Sequence, residues 1–209
     1  MIPIANAIPI HPSVRIIAVS ILRGEVLRRL DEPAHSWTRN FYNGHYTRDL
    51  GLFPSGSSWG AGYLSWRSTD GTYRAPNRYD AACFLDAPAN DSNFGILTGR
   101  GSDPVAMDDY ALQTPITHGN GANQLPHRAQ ALASPSYTSG TRTWLATLTR
   151  LFDNTSGSTI TVTECGLIGS SYSSNWKLLL CRDILSSAID VLNNGTLTLT
   201  YEISFTFPS

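Results

Sequence analysis

The sequence predicts an all-β domain: an antiparallel β-sandwich or jelly-roll-like barrel, with one or two short helices and long loops. Three observations carry this. Leu197, Leu199, Tyr201, Ile203, Phe205 and Phe207 alternate with Thr196, Thr198, Thr200, Glu202, Ser204 and Thr206, the period of a strand with one face buried. Turn signals recur between apolar runs at Asp153–Gly157, which links two strands, and at Asn193–Gly195, read as a hairpin turn because Asn and Gly tolerate the left-handed backbone of tight turns. Finally, 209 residues with 41% hydrophobic side chains suffice for one well-cored domain.

The elements follow in chain order. Residues 1–13, MIPIANAIPIHPS, hold three prolines and the isoleucines Ile2, Ile4, Ile8 and Ile10. They are read as an extended apolar arm preceding a single β domain over 14–209. Val14–Leu30 reads as two strands hinged at Arg23-Gly24, the first apolar on both faces like a central strand. A short helix is expected over Ser36–Tyr42, with Trp37, Phe41 and His45 on one face.

Residues 50–79 are punctuated by Gly, Ser and Pro yet carry Trp59, Tyr63, Trp66, Tyr73 and Tyr79. That aromatic content predicts an ordered excursion rather than a disordered loop. Short strands are expected at Asp80–Asp86 and Asn93–Thr98, a helical turn near Pro104–Tyr110, and a polar connection over Thr114–Ser139. In the β-rich remainder, symmetric closure of the Gly169–Asn175 loop would set Cys165 opposite Cys181 and Glu164 opposite Arg182. Glu164 would then lie on the Ile160–Val162 side of its strand, where a carboxylate needs a partner. Arg182 is the first candidate and Arg150 the second.

Composition narrows function by exclusion. The net charge of −1 disfavours broad electrostatic capture of nucleic acid or an anionic membrane. No apolar run has the length of a membrane span, and no signal peptide is recognised, so synthesis in a reducing cytoplasm is expected. Cys83, Cys165 and Cys181 are an odd set, and the last two are expected to remain buried thiols. The five histidines lack metal-ligand spacing, so no metal and no cofactor is expected. Asp103, Asp108 and Asp109 read as solvated loop carboxylates. Without a GxSxG elbow, a GxGxxG turn or a phosphate-binding loop, no catalytic residues are assigned and the chain is read as a non-enzyme. Trp59, Tyr63, Trp66, Arg67, Tyr73 and Arg74 suit either a subunit contact or stacking on sugar rings; the contact is preferred, since Trp, Tyr and Arg are enriched at interfaces.

Several segments carry a family resemblance. Glu32–Asn43 (EPAHSWTRNFYN), Asn93–Gly119 (NFGILTGRGSDPVAMDDYALQTPITHG) and Arg150–Gly169 (RLFDNTSGSTITVTECGLIG), with LLLCRDIL and GTLTLTYEISF after it, together resemble small structural proteins of tailed bacteriophages. Cys165 stands where that pattern commonly has an aliphatic residue. The arm and the aromatic excursion lie outside the pattern. The resemblance implies a virion protein made in the host bacterial cytoplasm, either a capsid decoration or cement protein or a neck, tail or baseplate component. Its implied partners are itself, as a homo-oligomer with a trimer among the candidate states, and other capsid or tail proteins. It implies no direct contact with nucleic acid or membrane. A carbohydrate-binding module is the reading from another class.

Overall fold

A computed structural model describes residues 13–34, 37–50, 65–74 and 83–207. The arm isoleucines Ile2, Ile4, Ile8 and Ile10, together with Trp59, Tyr63 and Tyr79, lie outside the described residues. The chain is a β-sandwich of two antiparallel sheets.

The first sheet begins with β1 (Ser13–Leu22) and β2 (Glu25–Pro33), joined by a two-residue turn. Arg23 and Gly24 take φ of 53° and 86°, the left-handed pair that matches strand twist in a tight hairpin. β1 is flanked on its other side by β12 (Gly195–Thr206), which pairs in turn with β9 (Thr143–Asp153). The short strands β7 (Ala131–Leu132) and β8 (Ser136–Thr138) add to β9, so the expected polar connection over Thr114–Ser139 supplies an edge to this sheet. β1 is central, but only its even positions Val14, Ile16, Ala18 and Ser20 are buried; the expectation of two apolar faces is corrected to one.

The second sheet centres on β10 (Ile160–Ser171), paired with β11 (Lys177–Val191), β6 (Gly95–Gly99) and β5 (Cys83–Phe84). Its inner face meets the first sheet in a core containing Ile16, Leu148, Phe152, Val162, Leu167, Ile189, Leu199 and Tyr201. Its outer face is covered too. The 100–126 region lays Leu112 against Leu97, Ile168 and Leu179, and the β3–β4 hairpin (Trp66–Arg67, Tyr73–Arg74) seats Trp66 on Leu178.

β9–β10 and β11–β12 form one long ribbon folded over so that each arm joins a different sheet. Asn193–Gly195 is therefore not a hairpin turn but an arch between sheets. The fold line is pinned by Asn154, whose backbone donates to Gly195 and accepts from Asn194 at 2.8 and 2.7 Å. Its buried amide donates to the carbonyls of Ser158 and Val191, and its oxygen accepts from Ser156 N–H and Oγ–H.

Two local expectations shift. The helix α1 runs over Arg39–Leu50 rather than Ser36–Tyr42, because the preceding chain is still held extended: Trp37 bridges to Cys181 and the Thr38 hydroxyl donates to the Leu179 carbonyl at 2.5 Å. Trp37 and Phe41 do stack, at 3.8 Å between centroids, with the His45 ring parallel beyond them. The Pro104–Tyr110 segment is a turn, not a helix. No helix among the described residues is long and apolar enough to cross a membrane.

Candidate functional site

Three features could bear function: a buried polar network with two adjoining clefts, a buried thiol–carboxylate cluster, and a partly exposed aromatic end of the first sheet.

The network starts from a register shift. β10 slips against β11 between Val162 and Glu164, an irregularity that reverses the inward–outward alternation of later residues. Ile160 and Val162 face the sandwich core, and so do Cys165 and Leu167. Glu164 therefore points to the opposite side from Val162, which corrects the expectation that they share a face. There Glu164 accepts hydrogen bonds from the backbone N–H groups of Gly101, Gln113 and Thr114 at 2.9, 3.2 and 2.8 Å. Arg182 Nε donates to the same carboxylate at 3.0 Å. The approach is close: a Cβ added at Gly101 would lie 2.6 Å from Glu164 Oε1. Arg182 also donates to Asp109 at 2.9 Å and to the Asp103 carbonyl. Asp108 pairs with Arg39 at 2.7 Å, and Gln113 Nε2 donates to Asp103. Asp103 and Asp108 are exposed loop carboxylates, as expected, while Asp109 is partly buried against Arg182.

Two clefts border this network. One of about 400 Å³ is walled by Asp103, Asp109, Tyr110, Gln113 and Arg182. A second of about 260 Å³ lies among Arg39, Asn40, Arg67, Tyr73 and Asp109. Arg67 sits over the Tyr110 ring at 3.7 Å and near Tyr73 at 5.3 Å. Arg74 pairs with Asp70 at 2.8 Å. Tyr73 is 49% exposed, whereas Trp66 is 1% exposed. Trp66 is therefore internal packing on Leu178, a correction to its assignment as a subunit contact. The clefts offer aromatic and cationic contacts to a bound group. Of the cleft carboxylates, Asp108 and Asp109 pair with Arg39 and Arg182, and Asp103 accepts from Gln113. Among the described residues no group of three His, Cys, Asp or Glu is placed to hold a metal ion.

Cys165 faces Asp183 and Cys181 faces Leu167, so the two cysteines are not opposite one another. Their strands are adjacent, as expected, and both are buried thiols. The loop closes tighter and off-centre, with Ser170 opposite Lys177. Cys181 Sγ and the Tyr201 hydroxyl donate to Asp183 at 3.0 and 3.4 Å, and Tyr201 lies 3.3 Å from Cys165 Sγ. Burial first, then Asp183, pushes the Cys165 thiol well above its ordinary value. It is a poor nucleophile as a result.

Arg150, the second candidate partner for Glu164, goes elsewhere. Its fully buried guanidinium donates from Nε to Arg128, from one terminal nitrogen to Phe94 and Ile96, and from the other to Pro88 and Asp91, all backbone carbonyls at 2.6–3.2 Å. Burial lowers its pKa to about 10, which leaves it charged at neutral pH.

The aromatic end was missed by sequence reasoning. Trp144 faces Phe205 across the β9–β12 pair and Tyr137 across β8–β9. The register places all three on the inward face, where Trp144 and Phe205 are half-buried and Tyr137 is exposed. Tyr137 and Phe207 are 57% and 48% exposed and meet edge to face at 6.3 Å. The signal was the alternation running on to Phe207, but Trp144 and Tyr137 join it only once the register is known.

Comparison of the chain with protein-family models, with curated proteins and with solved structures returns no match.

Proposed function

We propose that the chain is a non-enzymatic structural subunit of a tailed-phage virion, one that decorates or cements the capsid. One observation carries the reading. The segments that resemble phage structural proteins, far apart in sequence, meet in a single framework. Glu164, Arg182 and the Gly99–Thr114 loop lock together, while Arg150 and Asn154 pin the neighbouring loops and the ribbon fold. The charged residues of those segments are spent on architecture, as suits a shell subunit whose task is shape. The aromatic end, where Tyr137 and Phe207 are exposed, supports self-association, because exposed apolar surface of this kind marks interaction sites.

The partners in this reading are further copies of the chain and other capsid proteins. A neck, tail or baseplate position rests on the same framework and differs in copy number. A carbohydrate-binding module is favoured by one separate observation: Tyr73 stands half exposed beside Arg67 in an open cleft.

Purified protein added to expanded and unexpanded capsids of its phage separates these readings. Saturable binding to expanded capsids alone supports the cement role. Binding to tails or tail-tip complexes instead moves the assignment to the tail. Glycan-array binding that Tyr73→Ala removes, without capsid or tail binding, overturns the virion reading.

A further inference from the structure

We propose that β2 is a docking edge for a second copy of the chain: the two β2 strands pair antiparallel about a two-fold axis at Leu30 and join the first sheets of both copies into one. This pairing deepens, and rests on, the reading of the chain as a self-associating subunit, and it is independent of where in a virion the subunit sits.

The edge is open. β2 stands at the end of its sheet, and β1 is its one strand neighbour among the described residues. Ala34 N–H donates to the Val14 carbonyl at 2.8 Å. Antiparallel alternation from that bond turns the backbone groups of Arg28, Leu30 and Glu32 toward β1, and those of Arg29 and Asp31 toward the open edge. Val26 and Leu27 on the same strand are 60% and 48% exposed. Where β11 borders β2 it brings short side chains: Ser187 Oγ accepts from Arg28, and Ser186 N–H donates to Glu32.

Charge order points to the occupant. Arg28, Arg29, Leu30, Asp31 and Glu32 run basic, basic, apolar, acidic, acidic. Reversed against itself about Leu30, this run sets Arg28 opposite Glu32 of the second copy and Arg29 opposite Asp31 of the second copy, each twice, with the two leucines facing. Opposite charges directly across a strand pair attract, and like charges repel. An edge guarded by charges of one sign repels a second copy; this order attracts one. Arg29 approaches Asp31 of its own chain only to 3.4 Å, and its side chain is 57% exposed, so its guanidinium is placed to meet a second carboxylate.

Backbone parity selects the same register. Residues that exchange hydrogen bonds in an antiparallel pair stand directly opposite one another, and Arg29 and Asp31 are the two whose backbone groups face the open edge. A slip of one residue sets outward-facing groups against inward-facing ones. A slip of two sets Arg29 against Arg29, or Asp31 against Asp31, of the second copy. Pro33 of the second copy comes opposite Leu27 and, with no N–H, ends the ladder there. The contact uses the same patch on both copies, so it closes at two.

The test uses the full chain without capsids. Leu30→Cys places a thiol on the two-fold axis, where facing side chains start about 4.5–5.5 Å apart. Leu27→Cys places its two copies about 20 Å apart at roughly 3.3 Å per residue. Oxidation should link Leu30→Cys chains to one another at about ten times the yield of Leu27→Cys or more, with the linkage mapped by peptide mass spectrometry. Arg28→Glu with Arg29→Glu makes an acidic edge, and Asp31→Arg with Glu32→Arg a basic one. Each double variant alone should self-associate about tenfold more weakly than the wild type in sedimentation, and the two mixed in equal amounts should regain wild-type association. Equal yields from the two cysteine variants, natively folded charge variants that associate like the wild type, or a mixture that stays weak overturns the proposal. If a charge variant loses the wild-type circular-dichroism spectrum, the cysteine pair decides alone. A monomeric wild type overturns both this pairing and the self-associating reading, whereas an associating wild type with equal cysteine yields overturns the pairing only. None of these results bears on capsid binding, so the virion reading stands or falls separately.

Discussion

Arg182 Nε lies 3.0 Å from Glu164 Oε2, with the arginine side chain 3% and the glutamate side chain 0% exposed. The pair is diagonal across β10 and β11, since Gly166 is the residue opposite Arg182. Long side chains on one face span that offset. The carboxylate also collects three backbone N–H groups, so it fastens the 99–114 loop to the sheet.

Removing the carboxylate leaves Arg182 Nε and those three N–H groups without their acceptor in the interior, while the terminal nitrogens of Arg182 keep Asp109 and the Asp103 carbonyl. Glu164→Ala is expected to cost about 3–5 kcal/mol, a fall in Tm of about 6–20 °C for a domain of this size. Glu164→Gln keeps acceptor oxygen at the site and should cost less. Equal melting temperatures for wild type and Glu164→Ala in a thermal scan would refute the pairing.

Arg150 is matched to its carbonyl cage by the number and fork geometry of its donors. Arg150→Lys retains the charge but can engage fewer carbonyls. It is expected to destabilise by about 2 kcal/mol, the order of one or two buried acceptors left bare. Urea unfolding measures this; a variant with an unshifted midpoint would show that charge alone suffices.

Asn154 holds the ribbon where it folds between sheets. Asn154→Ala should cost about 2–3 kcal/mol through its lost buried hydrogen bonds. Hydrogen exchange should quicken at the Asn194 N–H, which donates to the residue-154 carbonyl, and at the residue-154 N–H, which donates to Gly195. Uniform exchange changes across both sheets would contradict a local role.

His127 gives the fold a pH limit. It is 1% exposed, its Nδ1 is 3.0 Å from the Asp91 carbonyl, and its ring meets Phe152 edge to face. Burial chiefly, with Arg150 and His118 adding, lowers its pKa from 6.5 to about 4. A depressed histidine pKa means that the unfolded chain takes the proton first as pH falls. Stability is therefore full above about pH 6.5 and declines toward pH 4, by about 3 kcal/mol in total. His127→Phe should flatten this part of the profile. The pair of Asp70 titrates lower, its carboxyl held at about 2 by Ser68 first and the Thr72 N–H next, so its loss falls below that window. A stability profile flat between pH 4 and 6.5 in wild-type protein would contradict the assignment.

Local periodicity made much of the fold legible. The β12 alternation located its buried face, and Arg23-Gly24 marked the first hairpin. Local signals do not reveal which sheet a strand joins, so Asn193–Gly195 reads as a hairpin turn where the chain makes an arch between sheets. Nor do they reveal bulges. One shift near Thr163 sends Glu164 to the opposite face, and its true surroundings come from a loop some 50–60 residues away in sequence. The Arg150 cage was illegible for the same reason: backbone carbonyls from three separate segments carry no side-chain signature.

The proposed role makes this chain a component of a virion. Quantitative mass spectrometry of gradient-purified particles from its phage tests it most directly. A decoration or cement role requires the chain in those particles in fixed ratio to the major capsid subunit, at one copy or one oligomer per capsomer. Its absence from particles that contain every other structural protein would contradict the claim.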